Sequence, residues 1–179
     1  MNRKYVEPDL DEIRKWSEKE TGLTAIWEHS NAPRPSRPYL SVRVLSFENI
    51  HRENQFEIDG EGNAWVASNT DLTVSFQVHE RADELDPSKA LRRARILRAS
   101  LDLPSVKESF RNAGIVIRGV ELLQDNPLQL DVEWQQRANL DIRFGIITAM
   151  CDKLGLIESI EATGFVNGKT IAVKEESEE

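Results

Sequence analysis

Residues 128–147 read LQLDVEWQQRANLDIRFGII and form the longest alternating run of apolar and polar residues in the chain. The apolar members share one parity and are Leu128, Leu130, Val132, Trp134, Leu140, Ile142, Phe144 and Ile146. A period of two residues is typical of a strand with one buried face. We predict one long bent strand, or two collinear strands, over these residues. A helical centre is the alternative, because Glu133, Arg137 and Asp141 are spaced four apart, but we favour the strand.

The same alternation predicts further strands elsewhere in the chain. Residues 72–79 and 40–44 each have one apolar and one polar parity. Trp65 and Val66 indicate a separate strand before residue 72, and residues 115–120 indicate another. Asn167 and Gly168 form the dipeptide most typical of a tight hairpin turn. We therefore predict a final hairpin around them.

Three segments have the features of helices. Residues 8–20 have an apolar stripe, residues 86–100 begin with Asp86 as N-cap and Pro87 at the first position, and residues 104–114 begin with a proline. The sum is an α+β domain with a mostly antiparallel, mixed sheet and two to three helices packed on one face. Because the predicted strands exceed the usual five to six residues, we expect them to extend toward neighbouring subunits.

Length and charge limit the classes of protein. The chain has 179 residues and a net charge of −8, which suits one domain, placed at residues 1–173, followed by a disordered acidic tail at 174–179. The first residues have no apolar signal core, and no apolar run approaches the ~20 residues of a membrane span, so we expect assembly in the cytosol. An acidic chain is not expected to wrap DNA, because that affinity comes from phosphate neutralisation.

The residues that usually carry catalysis are scattered. His29, His51 and His79 have no second ligand at helical spacing, and the single cysteine, Cys151, lies in an apolar run. Glu133 and Asp141 share the polar parity of the long run, where a solvated face or ion pairs between subunits explain them better than catalysis. We predict no catalytic residue, no metal site and no cofactor.

Two basic features remain. Pro33, Pro35 and Pro38 stiffen a loop that presents Arg34 and Arg37, and this loop is either a rigid connector or a binding loop. Residues 89–98 place five cations on one short helix, Arg92 and Arg95 among them. That helix has either a solvated basic face or a contact with an acidic neighbour, such as a second copy of the chain.

The proline loop also carries a resemblance. Residues 27–44 read WEHSNAPRPSRPYLSVRV and resemble the W-x-x-x-N-A-P-R-P-x-x-P-Y signature, followed by a strand, of the neck and tail-terminator proteins of tailed bacteriophages. Residues 132–144, VEWQQRANLDIRF, resemble that family's block, which reads aromatic or Glu, then x-x-R-A-x-L-D, followed by a strand. The order of elements between these blocks also fits, so the resemblance covers roughly residues 9–164.

The resemblance implies a structural virion protein with no enzymatic activity and no cofactor. Proteins of this kind form a hexameric ring at the head-proximal end of the tail. The ring ends the tail tube, contacts the head-side connector and stopper proteins, and meets the sheath protein when the tail is contractile. DNA crosses the lumen without sequence-specific binding. A neighbouring head-tail adaptor, stopper or minor tail protein is the alternative, and a small-molecule-binding or enzymatic domain is a remote one.

Within this interpretation the basic and paired residues are candidates for a subunit or partner interface. The predicted interface residues are Asn31, Arg34, Pro35, Arg37, Tyr39, Arg92, Arg95, Glu133, Arg137 and Asp141.

Overall fold

The structure is a computed structural model that describes residues 3–31, 33–50, 55–81, 85–130, 133–153, 159–166 and 169–176. For Gln55, Leu130, Glu133 and residues 159–176 the backbone alone is described. The helices are α1 (Asp11–Thr21), α2 (Lys89–Ser100) and α3 (Pro104–Asn112). The strands are β1 (Lys4–Val6), β2 (Ala25–Trp27), β3 (Tyr39–Asn49), β4 (Gln55–Ile58), β5 (Asn63–Arg81), β6 (Ile115–Asp125), β7 (Leu128–Leu130), β8 (Glu133–Lys153), β9 (Ser159–Val166) and β10 (Lys169–Glu176).

Two long strands form the centre of the main sheet. β5 and β8 pair antiparallel from Asn63 opposite Lys153 to Arg81 opposite Gln135. On the β5 side lie β3 and β4, and on the β8 side lie β6, β7 and β1, all antiparallel to their neighbours. β2 pairs parallel with β3, which makes the sheet mixed. The predicted α+β fold with a mostly antiparallel, mixed sheet is confirmed.

All three helices cover one face of this sheet, as predicted. The even-numbered apolar residues within 72–78 of β5 and 138–146 of β8, Phe76 and Phe144 among them, are buried beneath the helices. An aromatic cluster joins the layers, because the Trp16 ring centre of α1 lies 5.7 Å from that of Phe76 and 5.3 Å from that of Phe110 in α3. Burying each such ring stabilises the fold by roughly 1.5–3 kcal/mol.

The start of α2 differs from the prediction. The helix begins at Lys89, and Asp86 does not cap it; the Asp86 carboxylate instead pairs with Arg92. Gln136 of β8 caps the helix, since its Oε1 accepts hydrogen bonds from the backbone N–H groups of Lys89 at 3.0 Å and Ala90 at 3.4 Å. Its Nε2 donates to the Asp86 carbonyl at 2.8 Å. A side chain from the sheet therefore accepts the hydrogen bonds of the first N–H groups of α2, whereas the sequence predicts Asp86 as the acceptor.

The long run at residues 128–147 is not one strand or a collinear pair. β7 folds back antiparallel on β8, with Leu130 opposite Glu133, so a hairpin replaces the predicted continuation. Asp131 and Val132, between the two strands, lie outside the described residues. Aspartate is common in turns, but no glycine, proline or asparagine stands beside Asp131, and the alternation continues unbroken across both residues. The alternation of apolar and polar residues therefore does not reveal that the chain reverses direction between β7 and β8.

The predicted separate strand at Trp65 and Val66 is wrong, because both belong to β5. This strand and β8 run well past the helices, and there they pair with the short outer strands β4 and β1. We call this part the sheet arm: β1, β4, residues 63–69 of β5 and residues 147–153 of β8. One row across its four strands consists of Phe56, Val66, Met150 and Tyr5. Three of them, Phe56, Met150 and Tyr5, are exposed.

The final hairpin is confirmed. β9 and β10 pair antiparallel from Val166 opposite Lys169 to Ser159 opposite Glu176. The predicted turn residues Asn167 and Gly168 lie outside the described residues. β10 reaches Glu176, three residues into the predicted acidic tail, and the assignment of one domain with a disordered tail stays a prediction.

Candidate subunit interface

The proline loop is held between two parallel strands. Residues 28–38 connect β2 to β3, which lie side by side with Ala25 opposite Leu40. Because the two strands are parallel, the chain leaves β2 at one end of the pair and returns to begin β3 at the other end. The backbone N–H of Glu28 donates to Val42 at 2.9 Å, and that of Leu40 donates to Thr24 at 2.9 Å. Both ends of the loop are thereby fixed to the sheet, and its prolines stiffen the part between.

The face of the sheet opposite the helices is polar. Ser41, Gln77 and Asn139 point to this open face from three neighbouring strands, and the Gln77 amide donates to Asn139 at 2.9 Å. Further along the same face, Arg118 lies across Gly145 and pairs with Asp71 at 3.3 Å. A side chain on Gly145 would meet the Arg118 Nε atom at 2.6 Å. Glycine therefore leaves room for this cross-strand ion pair.

His79 is buried on the open face, at the end of the sheet next to the proline loop. Its ring stacks on Tyr39, its cross-strand partner, with ring centres 4.4 Å apart and planes 14° apart. Its Nε2 shares a hydrogen bond of 3.1 Å with the Ser41 hydroxyl, whereas its Nδ1 is buried without a partner. Burial, followed by the positive charges of Arg137, Arg37 and Arg34, lowers the pKa of His79 to about 4. The imidazole is therefore neutral at pH 7.

The arginines around His79 come from distant parts of the chain. Arg34, Tyr39, His79 and Arg137 line a cavity of about 180 Å³ together with Ile26, Glu28, Ser41 and Gln77. We call this cavity the arginine pocket. Arg37 does not line it but lies close enough to act on His79. The structure thus brings together Arg34, Tyr39 and Arg137, with Arg37 nearby, although they were singled out in separate blocks of sequence.

These arginines lack acidic partners. Among the described residues, Arg34, Arg37 and Arg137 make no ion pair, and the Arg137 Nε atom is buried without a hydrogen bond. One Arg137 Nη atom donates to the Gln135 amide oxygen at 3.2 Å. Other arginines of the chain are paired with carboxylates of the same chain, and these are Arg3, Arg14, Arg92, Arg93, Arg118 and Arg143.

The remaining predicted interface residues lie elsewhere. Asn31 is exposed and Pro35 half-buried on the proline loop, and neither lines the arginine pocket. Asp141 is on the open face of β8, with one buried carboxylate oxygen that has no hydrogen-bond partner. The Glu133 backbone pairs with Leu130 at the hairpin, and its side chain is outside the description.

Arg92 and Arg95 belong to α2, on the helix-covered side of the sheet, so the structure does not bring them together with the proline loop. Arg92 pairs with Asp86, whereas Arg95 is exposed and has no ion pair in the described part of the chain. Arg93, which sequence reasoning did not single out, holds the buried Glu80 at 2.5 Å and donates to the Thr21 carbonyl at 2.8 Å. The basic helix is therefore partly structural.

A second basic cavity lies on the helix side. It has a volume of about 540 Å³ and lies between α2, α3 and β6, where Arg98, Lys107, Arg111 and Arg118 line it. Asp102 also lines it and pairs with Lys107 at 3.4 Å. This cavity has no arrangement of nucleophile, base and orienting group.

Two further classes of site were sought in the described residues. No group of histidine, cysteine and acidic side chains there has the arrangement of a metal site. None of the helices in the described ranges has the length and apolar character needed to cross a bilayer.

The fold is an α+β sheet with helices on one face, and the arginines of the pocket at its other face make no ion pair among the described residues. Residues 10–172 match a protein-family model described as phage neck terminator protein, and the chain belongs to this family. The family is a class of structural phage proteins and not a class of enzymes, and it implies a place in the virion beside other tail and head proteins. Comparison with curated proteins gives no match.

Sequence reasoning missed His79, Ser41 and Gln77 as parts of the pocket. Their shared parity with Thr73 and Ser75 already placed them on the polar face. The burial of His79 depends on the stacked ring of Tyr39 and on the loop above it, and neither contact follows from the alternation.

Proposed function

We propose that the chain forms a closed ring at the head-proximal end of the tail, ends the tail tube and joins it to the neck. The observation that carries this proposal is the match of residues 10–172 to the phage neck terminator family. Ring formation is supported by the open face, where arginines that make no ion pair among the described residues surround a buried histidine. In a closed ring each subunit offers one such surface to the next.

The partners follow from the position of the ring. One side contacts the last ring of the tail tube protein, and the other contacts the connector or stopper proteins of the head side. In a contractile tail the sheath protein is a further partner. DNA passes through the lumen without specific contacts, as suits a chain of net charge −8. The ring number of six comes from the resemblance to the family.

The proposed interface combines the proline loop and the open face. Arg34, Arg37 and Tyr39 contribute from the loop side, and Arg137 and Asp141 contribute from β8. Asn31 and Pro35 extend the surface along the loop, and Glu133 extends it at the β7–β8 hairpin. Arg92 and Arg95 form a separate basic face on α2, which suits a different partner from the one that contacts the loop.

Electron microscopy of particles from a phage in which this gene is disrupted tests the proposal. A terminator that stops the tube predicts overlong tails that are not attached to heads. Tails of normal length on filled heads would refute the proposal. Filled heads beside free tails of normal length would indicate an adaptor or stopper instead.

A further inference from the structure

The lining of the arginine pocket has more positive than negative side chains. Arg34 and Arg137 line it and Arg37 lies nearby, and none of them has an ion pair within the described ranges. In contrast, Arg14, Arg93 and Arg118 each have a carboxylate partner. Arg34 is exposed, whereas Arg37 and Arg137 are half-buried, and a half-buried cation without a partner is costly to keep. The pocket is therefore suited to an anion from outside the subunit.

The size of the pocket and the placement of its cations favour a carboxylate over a nucleic-acid phosphate. The cavity is about 180 Å³, which suits one or two side chains, and one carboxylate in its lining, Glu28, offsets part of the positive charge. Binding to duplex DNA relies on several cations spread along the phosphate backbone. Here the cations converge on one point in a chain of net charge −8. Arginine forks bind carboxylates in two-bond geometry, so a glutamate or aspartate side chain fits the pocket.

The chain itself contains a strongly acidic segment. Residues 175–179 read EESEE and form the densest acidic run in the sequence. The run begins in the last two residues of β10 and continues to the end of the printed chain. It supplies several carboxylates in a short segment, which is the chemistry that the pocket requires.

Chain dimensions separate Glu176, in the β10 part of the acidic run, from the pocket of its own copy. Residues 137–153 of β8 run from the pocket to the far end of the sheet, which is about 50 Å at ~3.3 Å per residue. The six steps from Lys153 to Ser159 cover at most about 21 Å of fully extended chain, and Glu176 lies beside Ser159. Glu176 therefore stays on the order of 25 Å from Arg137 by the same chain dimensions.

We propose that the arginine pocket of one copy binds the acidic run 175–179 of a second copy. This inference rests on the self-association in the proposed function and names the segment that the proline loop contacts. The pocket and the run are different parts of the chain, so contacts that repeat from copy to copy are head-to-tail. Head-to-tail contacts generate rings when the rotation closes.

Photo-crosslinking in assembled particles tests the proposal. A photoreactive phenylalanine derivative replaces Ser36, which is exposed between Arg34 and Arg37. The expected product has twice the mass of the chain and joins the loop of one copy to a peptide from residues 169–179 of another. A crosslink within one copy, to another virion protein or to DNA would overturn the proposal, as would particles that contain the chain but give no crosslink.

Charge variants of the full chain sharpen this test. Replacing Glu175, Glu176, Glu178 and Glu179 by glutamine should abolish the crosslink, because the carboxylates are lost and the shape is kept. The matched control replaces four exposed acids elsewhere, Glu48, Glu57, Glu108 and Asp125, by their amides and should keep it. A crosslink that survives the first set unchanged would contradict the proposal. An intact ring with a crosslink to a different partner refutes this inference alone and leaves the proposed function standing.

A solution measurement does not depend on particle assembly. A peptide with the sequence of residues 174–179, KEESEE, is added to the full-length chain while the ring resonances of His79 are followed by NMR. The expected result is a saturable shift that the glutamine peptide KQQSQQ does not produce. No shift with the acidic peptide, or an equal shift with a duplex oligonucleotide, would overturn the proposal.

Discussion

Arg93 and Arg95 are two residues apart on α2 and have different environments. The Arg93 guanidinium pairs at 2.5 Å with Glu80, which is 2% exposed, whereas Arg95 points to solvent without an ion pair in the described ranges. Removing Arg93 leaves a buried carboxylate without its partner. We expect Arg93→Ala to lower the free energy of unfolding by about 3 kcal/mol. Chemical denaturation measures this change.

The control for that variant is Arg95→Ala, which removes the same charge from the same helix. A surface change of this kind should stay within about 0.5 kcal/mol of the parent chain. Equal destabilisation by the two variants would mean that the buried pair does not stabilise the fold.

His79 predicts a dependence of stability on pH. Its pKa in the folded chain is about 4, and in the unfolded chain it returns to about 6.5. As the pH falls below 6.5 the unfolded chain binds the proton first, so stability is lost between pH 6.5 and 4 and is unaffected above that window. The loss from this group is about 3 kcal/mol, and urea denaturation at a series of pH values measures it.

The comparison for this prediction is His79→Gln. The difference in stability between the parent and this variant should fall as the pH is lowered from 6.5 to 4.5. His29→Gln, at an exposed position, should leave the profile of the parent unchanged. A difference between parent and His79→Gln that does not vary with pH would contradict the assignment of a depressed pKa to His79.

At the scale of residues, the sequence identifies the charged side chains but not the groups that surround them in the fold. Arg34 and Arg137 were singled out in separate blocks, and the fold brings them to one cavity. The partners of Arg93 were not predictable, because Glu80 and Thr21 lie on other elements. Which cation is paired and which is free depends on tertiary distance, and spacing along one helix does not encode it.

At the scale of elements, Gln136 shows how a strand fixes the start of a helix. Its amide bridges the Asp86 carbonyl and the first N–H groups of α2, and Gln136 is buried. Gln136→Ala removes this cap and leaves buried polar groups of the backbone unpaired. We expect a loss of about 1–2 kcal/mol in the free energy of unfolding, with thermal or chemical denaturation as the measurement.

Gln129→Ala is the matched control, because Gln129 is exposed on β7. It should change stability by less than about 0.5 kcal/mol. Equal denaturant midpoints for the two variants would contradict a stabilising role of the Gln136 cap.

The central strands were predictable, and their ends were not. The alternation in residues 72–79 and 140–146 reflects one face buried under helices, and this burial is what the structure shows. None of the described helices covers the sheet arm, so Trp65 and Met150 follow no simple buried and exposed pattern. The β7–β8 hairpin escaped prediction because the alternation continues across Asp131 and Val132, and Asp131 without a neighbouring glycine or proline is a weak turn signal.

At the scale of the whole molecule, the loop arginines predict a defect in assembly. Replacing Arg34 and Arg37 together by alanine removes two cations that have no ion pair in the described ranges, so the fold should keep its stability within about 0.5 kcal/mol. The proposed interface loses charged contacts at its centre. We expect rings to be lost and tail joining to fail, as measured by electron microscopy and by the thermal stability of the free chain.

A control variant removes equal charge from the opposite side of the molecule. Lys107→Ala with Arg111→Ala acts on α3, on the helix side and away from the proline loop. It should assemble better than the loop variant. Normal virions from the loop variant would contradict the interface and mean that the proline loop is a rigid connector.

The central claim is that this chain forms the ring between the tail tube and the head. Cryo-electron microscopy of the neck of the assembled phage tests it most directly. The account predicts a closed ring of copies of this fold between the last tube ring and the head-side connector, with the open face and proline loop of each copy against its neighbour. Density for this fold elsewhere in the particle, or a tube that meets the connector without such a ring, would contradict it.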